Sequence, residues 1–432
     1  MRSLRELSRR FAEPKVRSAR LPGGVLVLAE EVKEVPSLAL GAWVRVGSRD
    51  EDPEQAGVTH FIEHLVFKGS RRHSGYELAK RMEAIGGQVD AYTTKESTCF
   101  YARVFAGYRR RAVEMLAEVL CEPAFDAEDV RREVGVVAEE IQGYEDSPEE
   151  LIHDLAAEEL FHRHPLGTPI LGRRETLAGL GVRSVRRFYR DRYTAPEVIV
   201  AAAGRFDFDL LVEDVARTFR LPRRRTEPPA PPLPRFRARE RHEEKDLAQA
   251  SLCLLRRGPS YRDRDRHAVF VFNTILGSGA SSRLYQSIRE DEGLAYSVYS
   301  FLDSFRDTGA FGVYLGVGAD RLGEALRLVC RELRRVRERG AHVWELESAR
   351  AQIFTGLFLS YESMYERVAR LAHNELYYGG QVPLAEVVGA VERITLDDVH
   401  RVACELLDPR RFCLVTLAPA GTKRPGLAAL DF

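Results

Sequence analysis

Three side chains in the segment GVTHFIEHLVFKG have the types and spacing of a metal centre: His60, Glu63 and His64. Val58, Phe61, Ile62, Leu65 and Val66 recur around them at helical spacing. Residues four apart share one face of a helix, so both imidazoles can reach a single ion. Glu63 stands beside them, where a carboxylate can take a proton from a water on that ion. The order HxxEH reverses the HExxH found in many hydrolytic zinc sites. A catalytic zinc usually has three protein ligands and leaves the fourth position to water, so two histidines leave one ligand to come from another element.

The segment DAEDVRREVGVVAEEIQGY, residues 126–144, offers that element. Asp126 suits an N-cap, and Val130, Val134, Val137 and Ile141 form the apolar stripe of a helix. Glu133 and Glu140 are seven residues apart, two helical turns, so both carboxylates point at one site. Glu140 is assigned to the metal, and Glu133 to a hydrogen bond that orients a histidine or the helix. An HxxEH by itself arises by chance in many chains; the paired glutamates make it specific.

The elements that must hold these residues belong to a chain of 432 residues, 44% hydrophobic and 30% charged, long enough for two domains. Lys plus Arg and Asp plus Glu both number 65, so no net field points to nucleic acid or an anionic membrane as partner. Cys99, Cys121, Cys253, Cys330, Cys404 and Cys413 are dispersed and form no CxxC pair, which reads as reduced, mostly buried thiols. Residues Met1 to Arg20 are basic but lack the apolar segment of a secretory signal, and no apolar run approaches membrane-spanning length. A soluble cytoplasmic protein is expected. Arg2, Arg5, Arg9 and Arg10 also fit a transit peptide, although Glu6 and Glu13 interrupt the pattern.

Clustered prolines and charge over residues 221–246 predict an extended, semi-stiff linker between an N-terminal domain, 1–220, and a C-terminal domain, 247–432. The two halves share one plan. In the first, Leu38, Leu40, Ala42, Val44 and Val46 alternate as in a strand with one buried face, and a helix follows over Thr59 to Phe67. In the second, a strand at Ala250 to Leu255 precedes a helix at His267 to Leu276. Val198 to Ala203 and Arg411 to Thr416 read as closing strands. Without a strict βαβ rhythm, the expected fold class is α+β: two similar domains, each a largely antiparallel sheet with helices packed on one side. An ungapped overlay sets Phe270, Asn273 and Thr274 opposite His60, Glu63 and His64, so the second domain carries no metal set.

Over nearly its whole length the chain resembles the pitrilysin/insulinase family of inverted-motif zinc peptidases, most closely its short two-domain bacterial members related to the mitochondrial processing peptidase. That family takes its third ligand from a helix with a second glutamate seven residues earlier, which matches Glu140 and Glu133; Glu139 is the neighbouring candidate. GGQVDAYTTKESTCFYARV, from Gly86, is similar to the family's substrate-binding edge strand, where a peptide adds as one more strand. Ala91 and Thr93 match the family pattern there, and Asp90 stands where it has Asn. IREDEGLAYSVYS carries Arg289 and Tyr296, which resemble the pair that holds the substrate carbonyl and the developing oxyanion. LGSGASSRL resembles the family's glycine-containing loop, and no GK[ST] follows to suggest a phosphate loop.

The resemblance implies a zinc metalloendopeptidase with one Zn2+ per chain, His60, His64 and Glu140 as ligands and Glu63 as the base, acting on peptide substrates such as unfolded or presequence-like segments. Because longer family members place the zinc and the Arg/Tyr pair in different halves of one clamshell, it also implies a homodimer enclosing a chamber, or pairing with a sister subunit. The competing expectation is a noncatalytic scaffold or partner subunit of the same fold.

Overall fold

The computed structural model describes residues 15–223 and 233–432. Arg2, Arg5, Arg9, Arg10 and the most proline-rich part of the predicted linker lie outside the described residues. In the first half, β1 (Val16–Arg20), β2 (Leu26–Glu31), β3 (Ser37–Val44), β4 (Gln88–Thr93), β5 (Thr98–Phe105) and β6 (Val198–Gly204) form a sheet of order β1-β2-β6-β3-β5-β4. In the second, β7 (Glu240–Glu244), β8 (Ala250–Gly258), β9 (Ala295–Ser304), β10 (Gly309–Val317) and β11 (Cys413–Ala418) follow the order β7-β11-β8-β10-β9. Each sheet contains one parallel pair, β2 with β6 and β7 with β11, and is otherwise antiparallel. The orders superimpose strand for strand from β2 and β7 onward, so the duplicated α+β plan read from the sequence is present. Strand β7 lies inside the stretch expected to be linker: Glu240–Glu244 borrows its pairing from β11, which local composition does not reveal.

One expectation needs correction. The alternation in β3 predicted a single buried face, yet seven of its eight residues are buried. Leu38, Leu40, Ala42 and Val44 pack against the helices of their own half, and Ala39 and Trp43 pack on the opposite side against Val368, Leu371 and Ala372. Those three residues belong to the helix Met364–Tyr378, which comes from the second half. The exchange is mutual, because Ile152, Leu155 and Ala156 of the first-half helix Pro148–Leu160 cover Cys253, Leu255, Val415 and Leu417 of the second sheet. Each sheet therefore has helices of its own half on one face and a helix from the other half on the other face.

The equivalent hairpins β4–β5 and β9–β10 meet where the halves join. Thr94 N donates to Ser97 O in the first hairpin and Phe305 N to Thr308 O in the second, both at 2.8 Å. Glu96 at the first tip accepts from Arg306 N of the second at 3.0 Å. The fully buried Arg49 guanidinium lies 2.6 Å from Glu96 Oε1 and 2.8 Å from Asp307 Oδ1. Removing one partner of a buried ion pair leaves the other desolvated and uncompensated. Arg49→Met is expected to destabilise the chain by about 3–5 kcal/mol in chemical denaturation; a loss below about 1 kcal/mol would show that the junction does not hold the halves together.

Candidate metal centre

His60 and His64 ride on the helix Val58–Leu65, whose Val58, Phe61, Ile62 and Leu65 are buried in the first-half core. Eight residues is too short for a helix to stand alone, so its ends must be held. Glu51 holds the first turn: its carboxylate accepts from Gly57 N at 2.7 Å and Thr59 N at 2.8 Å, satisfying amides that have no partner within the helix. Gly57 enters the helix at φ +93°, and a Cβ there would lie 2.5 Å from Leu171 O, so the position requires glycine.

The second element is the helix Ala127–Asp146, started by Asp126, whose side chain accepts from Glu128 N at 2.8 Å. Val130, Glu133, Val137 and Ile141 are its buried stripe. Glu140 faces the histidines, while the adjacent Glu139 is exposed.

The two helices bring one potential ligand atom each from His60, His64 and Glu140 within 4.8 Å of one another. His60 Nε2 lies 3.7 Å from Glu140 Oε1, and His64 Nε2 lies 3.4 Å from Glu140 Oε2. Ligands about 2.1 Å from a tetrahedral zinc lie about 3.4 Å apart, so the set fits that ion. Glu140 Oε2 is buried and lacks an aligned hydrogen bond, as expected of an atom that serves a cation. His64 Nδ1 donates to Glu133 Oε1 at 2.9 Å, which keeps the proton on Nδ1 when the imidazole is neutral and turns Nε2 toward Glu140. Glu133 is itself held by Lys68 Nζ at 2.8 Å.

Burial, helped by the charge of His64, pushes the His60 imidazole down to about 4 against the attraction of Glu140. Burial opposes protonation of His64 as well, but its bond to Glu133 and the nearby charge of Glu140 prevail and raise it to about 9. Contact with His64 and the charge of His60 hold the Glu140 carboxyl below the usual range against burial. Glu63 titrates above its ordinary value because it is buried, although donation from Thr93 and the charge of His64 pull the other way. A carboxylate raised in this way is better matched to accepting a proton near neutral pH.

Other predicted residues fall in two places. Asp90, Ala91 and Thr93 lie on β4, the outermost strand of the first sheet. Asp90 Oδ1 accepts from Ala91 N at 2.8 Å, and Asp90 Oδ2 from the Tyr101 hydroxyl at 3.4 Å. Thr93 turns inward, and its hydroxyl donates to Glu63 Oε2. Arg289 and Tyr296 pair with each other: Arg289 Nη1 donates to Tyr296 O at 2.8 Å, and its guanidinium lies over the rings of Tyr285 and Tyr296. Among the described residues, neither side chain contacts His60, Glu63, His64 or Glu140 within the chain, and Tyr296 is 79% exposed. In the second half, Asn273 and Thr274 are buried, and the His60, His64 and Glu140 group is the only potential metal cluster among the described residues.

Glu51, Lys68 and the Thr93–Glu63 contact escaped the sequence reading. Lys68 had a signal, since it follows His64 by four residues. Glu51 lies before the helix in an irregular segment, where no spacing rule points to it.

Residues 26–174 match the family described as Insulinase (Peptidase family M16), and residues 180–353 match the Peptidase M16 inactive domain. The uncharacterized zinc protease YmxG of Bacillus subtilis is 36% identical over 92% of this chain and 97% of its own length. The uncharacterized zinc protease Rv2782c of Mycobacterium tuberculosis is 38% identical, covering 94% of both chains. In fold, the chain is similar to a protease from Helicobacter pylori, with a TM-score of 0.87 at 21% identity over 94% of this chain and 100% of that one. No helix among the described residues is long and apolar enough to cross a membrane. On these matches, which span most of its length, the chain belongs to the insulinase family of peptidases, family M16.

Proposed function

We propose that the chain is a zinc-dependent endopeptidase of the inverted HxxEH type that hydrolyses unfolded peptides. The observation that carries this reading is the convergence of His60, His64 and Glu140 on one point beside the half-buried Glu63. Bound by these three residues, one zinc per chain would supply a Lewis acid for the scissile carbonyl and for the attacking water. Glu63 takes the proton of that water and passes it to the leaving amine, so peptide hydrolysis needs no covalent intermediate. Glu133 keeps His64 in the ligating tautomer. The open edge of β4 suits a peptide added as a further strand, with Asp90 and Ala91 at its backbone. A noncatalytic scaffold role is disfavoured because ligands and base are all retained.

The same reading assigns catalysis to an N-terminal domain, 1–220, and the Arg/Tyr pair to a C-terminal domain, 247–432. Tyr296 is exposed, Arg289 is half-buried beside it, and neither contacts the metal ligands within one chain, which supports a homodimer in which they complete the partner's site and enclose a chamber. Glu63→Gln should abolish hydrolysis of an unstructured fluorogenic peptide while zinc content stays unchanged, and mixing these chains with inactive Arg289→Ala chains should restore part of the activity. Full activity in Glu63→Gln would end the proposed role of the base, and no recovery in a verified mixed dimer would end the shared site.

Metal binding should also carry a proton signature. Without metal at pH 7, His60 is neutral and His64 is protonated, so a ligating His64 must give up its Nε2 proton. Because His64 is raised rather than lowered, its proton competes with zinc below pH 9, and affinity should fall about tenfold per pH unit from about 9 downward. Calorimetry in buffers of different ionisation heat should count about one proton released per zinc at pH 7. Two histidines titrating at the ordinary 6.5 would release about half a proton in total, which would contradict the assignment.

A further inference from the structure

We infer that Thr93 is a positioning residue for the base Glu63, which makes the edge strand that receives the peptide also the element that aims the proton acceptor. This rests on the peptidase reading above and concerns how its base is held. Thr93 is the last residue of β4, and its side chain points to the helix face of the sheet, where its hydroxyl donates to Glu63 Oε2. Among the described residues Glu63 accepts no other hydrogen bond, so without Thr93 the carboxylate would turn freely about its last side-chain torsion. Terminal carboxylate torsions are broad, which makes an external anchor necessary for a fixed orientation. With Oε2 already accepting from Thr93, Oε1 is the oxygen free of hydrogen bonds among the described residues and the better placed to take the proton of the attacking water.

The anchor is rigid because the chain after it is rigid. Thr94 Oγ1 donates to Ser97 O at 3.0 Å and accepts from Ser97 N at 3.0 Å and Glu96 N at 3.2 Å, which closes the turn directly behind Thr93. Glu96 within that turn is fixed by Arg49 and by Arg306 N. Thr93 therefore has little freedom to follow a moving carboxylate. Its β-branched side chain on a half-buried strand is itself restricted in χ1. With its one proton given to Glu63, the Thr93 hydroxyl has none left to donate to substrate; the backbone of β4 remains available to a peptide.

The test compares Thr93→Val, which keeps the β-branch and removes the donor, with Thr93→Ser, which keeps the donor. Misplacing a base by a fraction of an ångström costs rate rather than affinity, by up to about 100-fold. In the full-length protein acting on an unstructured fluorogenic peptide, Thr93→Val is expected to lower kcat about 10- to 100-fold with KM within about twofold and zinc content unchanged, and Thr93→Ser to recover most of the lost kcat. A rise in KM at unchanged kcat would assign Thr93 to substrate binding instead and overturn the inference. Equal impairment of Val and Ser variants, or native kcat in Thr93→Val, would overturn it as well. Loss of activity on Glu63→Gln in the same assay separates the two levels: if that variant is dead while Thr93→Val is native, only the positioning role fails. A native chain that cleaves nothing removes the peptidase reading and this inference with it.

Discussion

Two imidazoles and a carboxylate can share one small ion only if the helices that carry them are fixed to within a fraction of an ångström, and the helix Val58–Leu65 has too few residues to fix itself. Its position is imposed from outside at four points. Glu51 accepts the amides of its first turn, Phe61 and Ile62 anchor its inner face in the core, Glu133 grips His64, and Thr93 grips Glu63. Each hold comes from a different part of the first half, so the centre reports on the packing of that whole half. The first-turn amides, His64 Nδ1 and the Glu63 carboxylate are each matched with a partner, which avoids the cost of leaving polar groups unsatisfied, whereas His60 Nδ1 and Glu140 Oε2 are buried without one.

The duplication explains why this half can be held so firmly. Each half lends a helix to the far side of the other's sheet, and the hairpins at the junction interlock through Arg49, Glu96, Arg306 and Asp307. Glu30, fully buried beneath the borrowed helix, is neutralised by Arg367 and Arg370 of that helix, a second ionic tie between the halves. The β4–β5 hairpin therefore faces two ways: toward Glu63 through Thr93 and toward the second half through Glu96. The second half has the same strand order without a metal set; Asn273 and Thr274 fill buried space and Thr274 bonds back to Phe270 O at 3.0 Å.

Much of this was legible in the chain itself because helical chemistry is local. Four-residue spacing put His60 and His64 on one face, and seven-residue spacing put Glu133 and Glu140 on one face of a second helix; both relations follow from helix geometry alone. The strand β3 was read only in part. Ala39, Gly41 and Trp43 are apolar in the positions that a solvent-facing side would fill with polar residues, and a strand covered on both faces has that composition. The helix that covers the second face lies more than 300 residues away, at Met364–Tyr378. Glu51, the Thr93–Glu63 contact and the strand status of Glu240–Glu244 were equally hidden, since each depends on a partner brought near only by the fold. The Arg289–Tyr296 pair was found in sequence by resemblance, and the exposure of Tyr296 became visible only in three dimensions.

The most direct measurement is anomalous diffraction at the zinc edge from crystals of the protein grown with zinc. A single strong peak per chain is expected about 2.1 Å from His60 Nε2, His64 Nε2 and a Glu140 oxygen, with no fourth protein ligand. A peak elsewhere, a site closed by four protein ligands, or no peak at this position would contradict the ligand assignment.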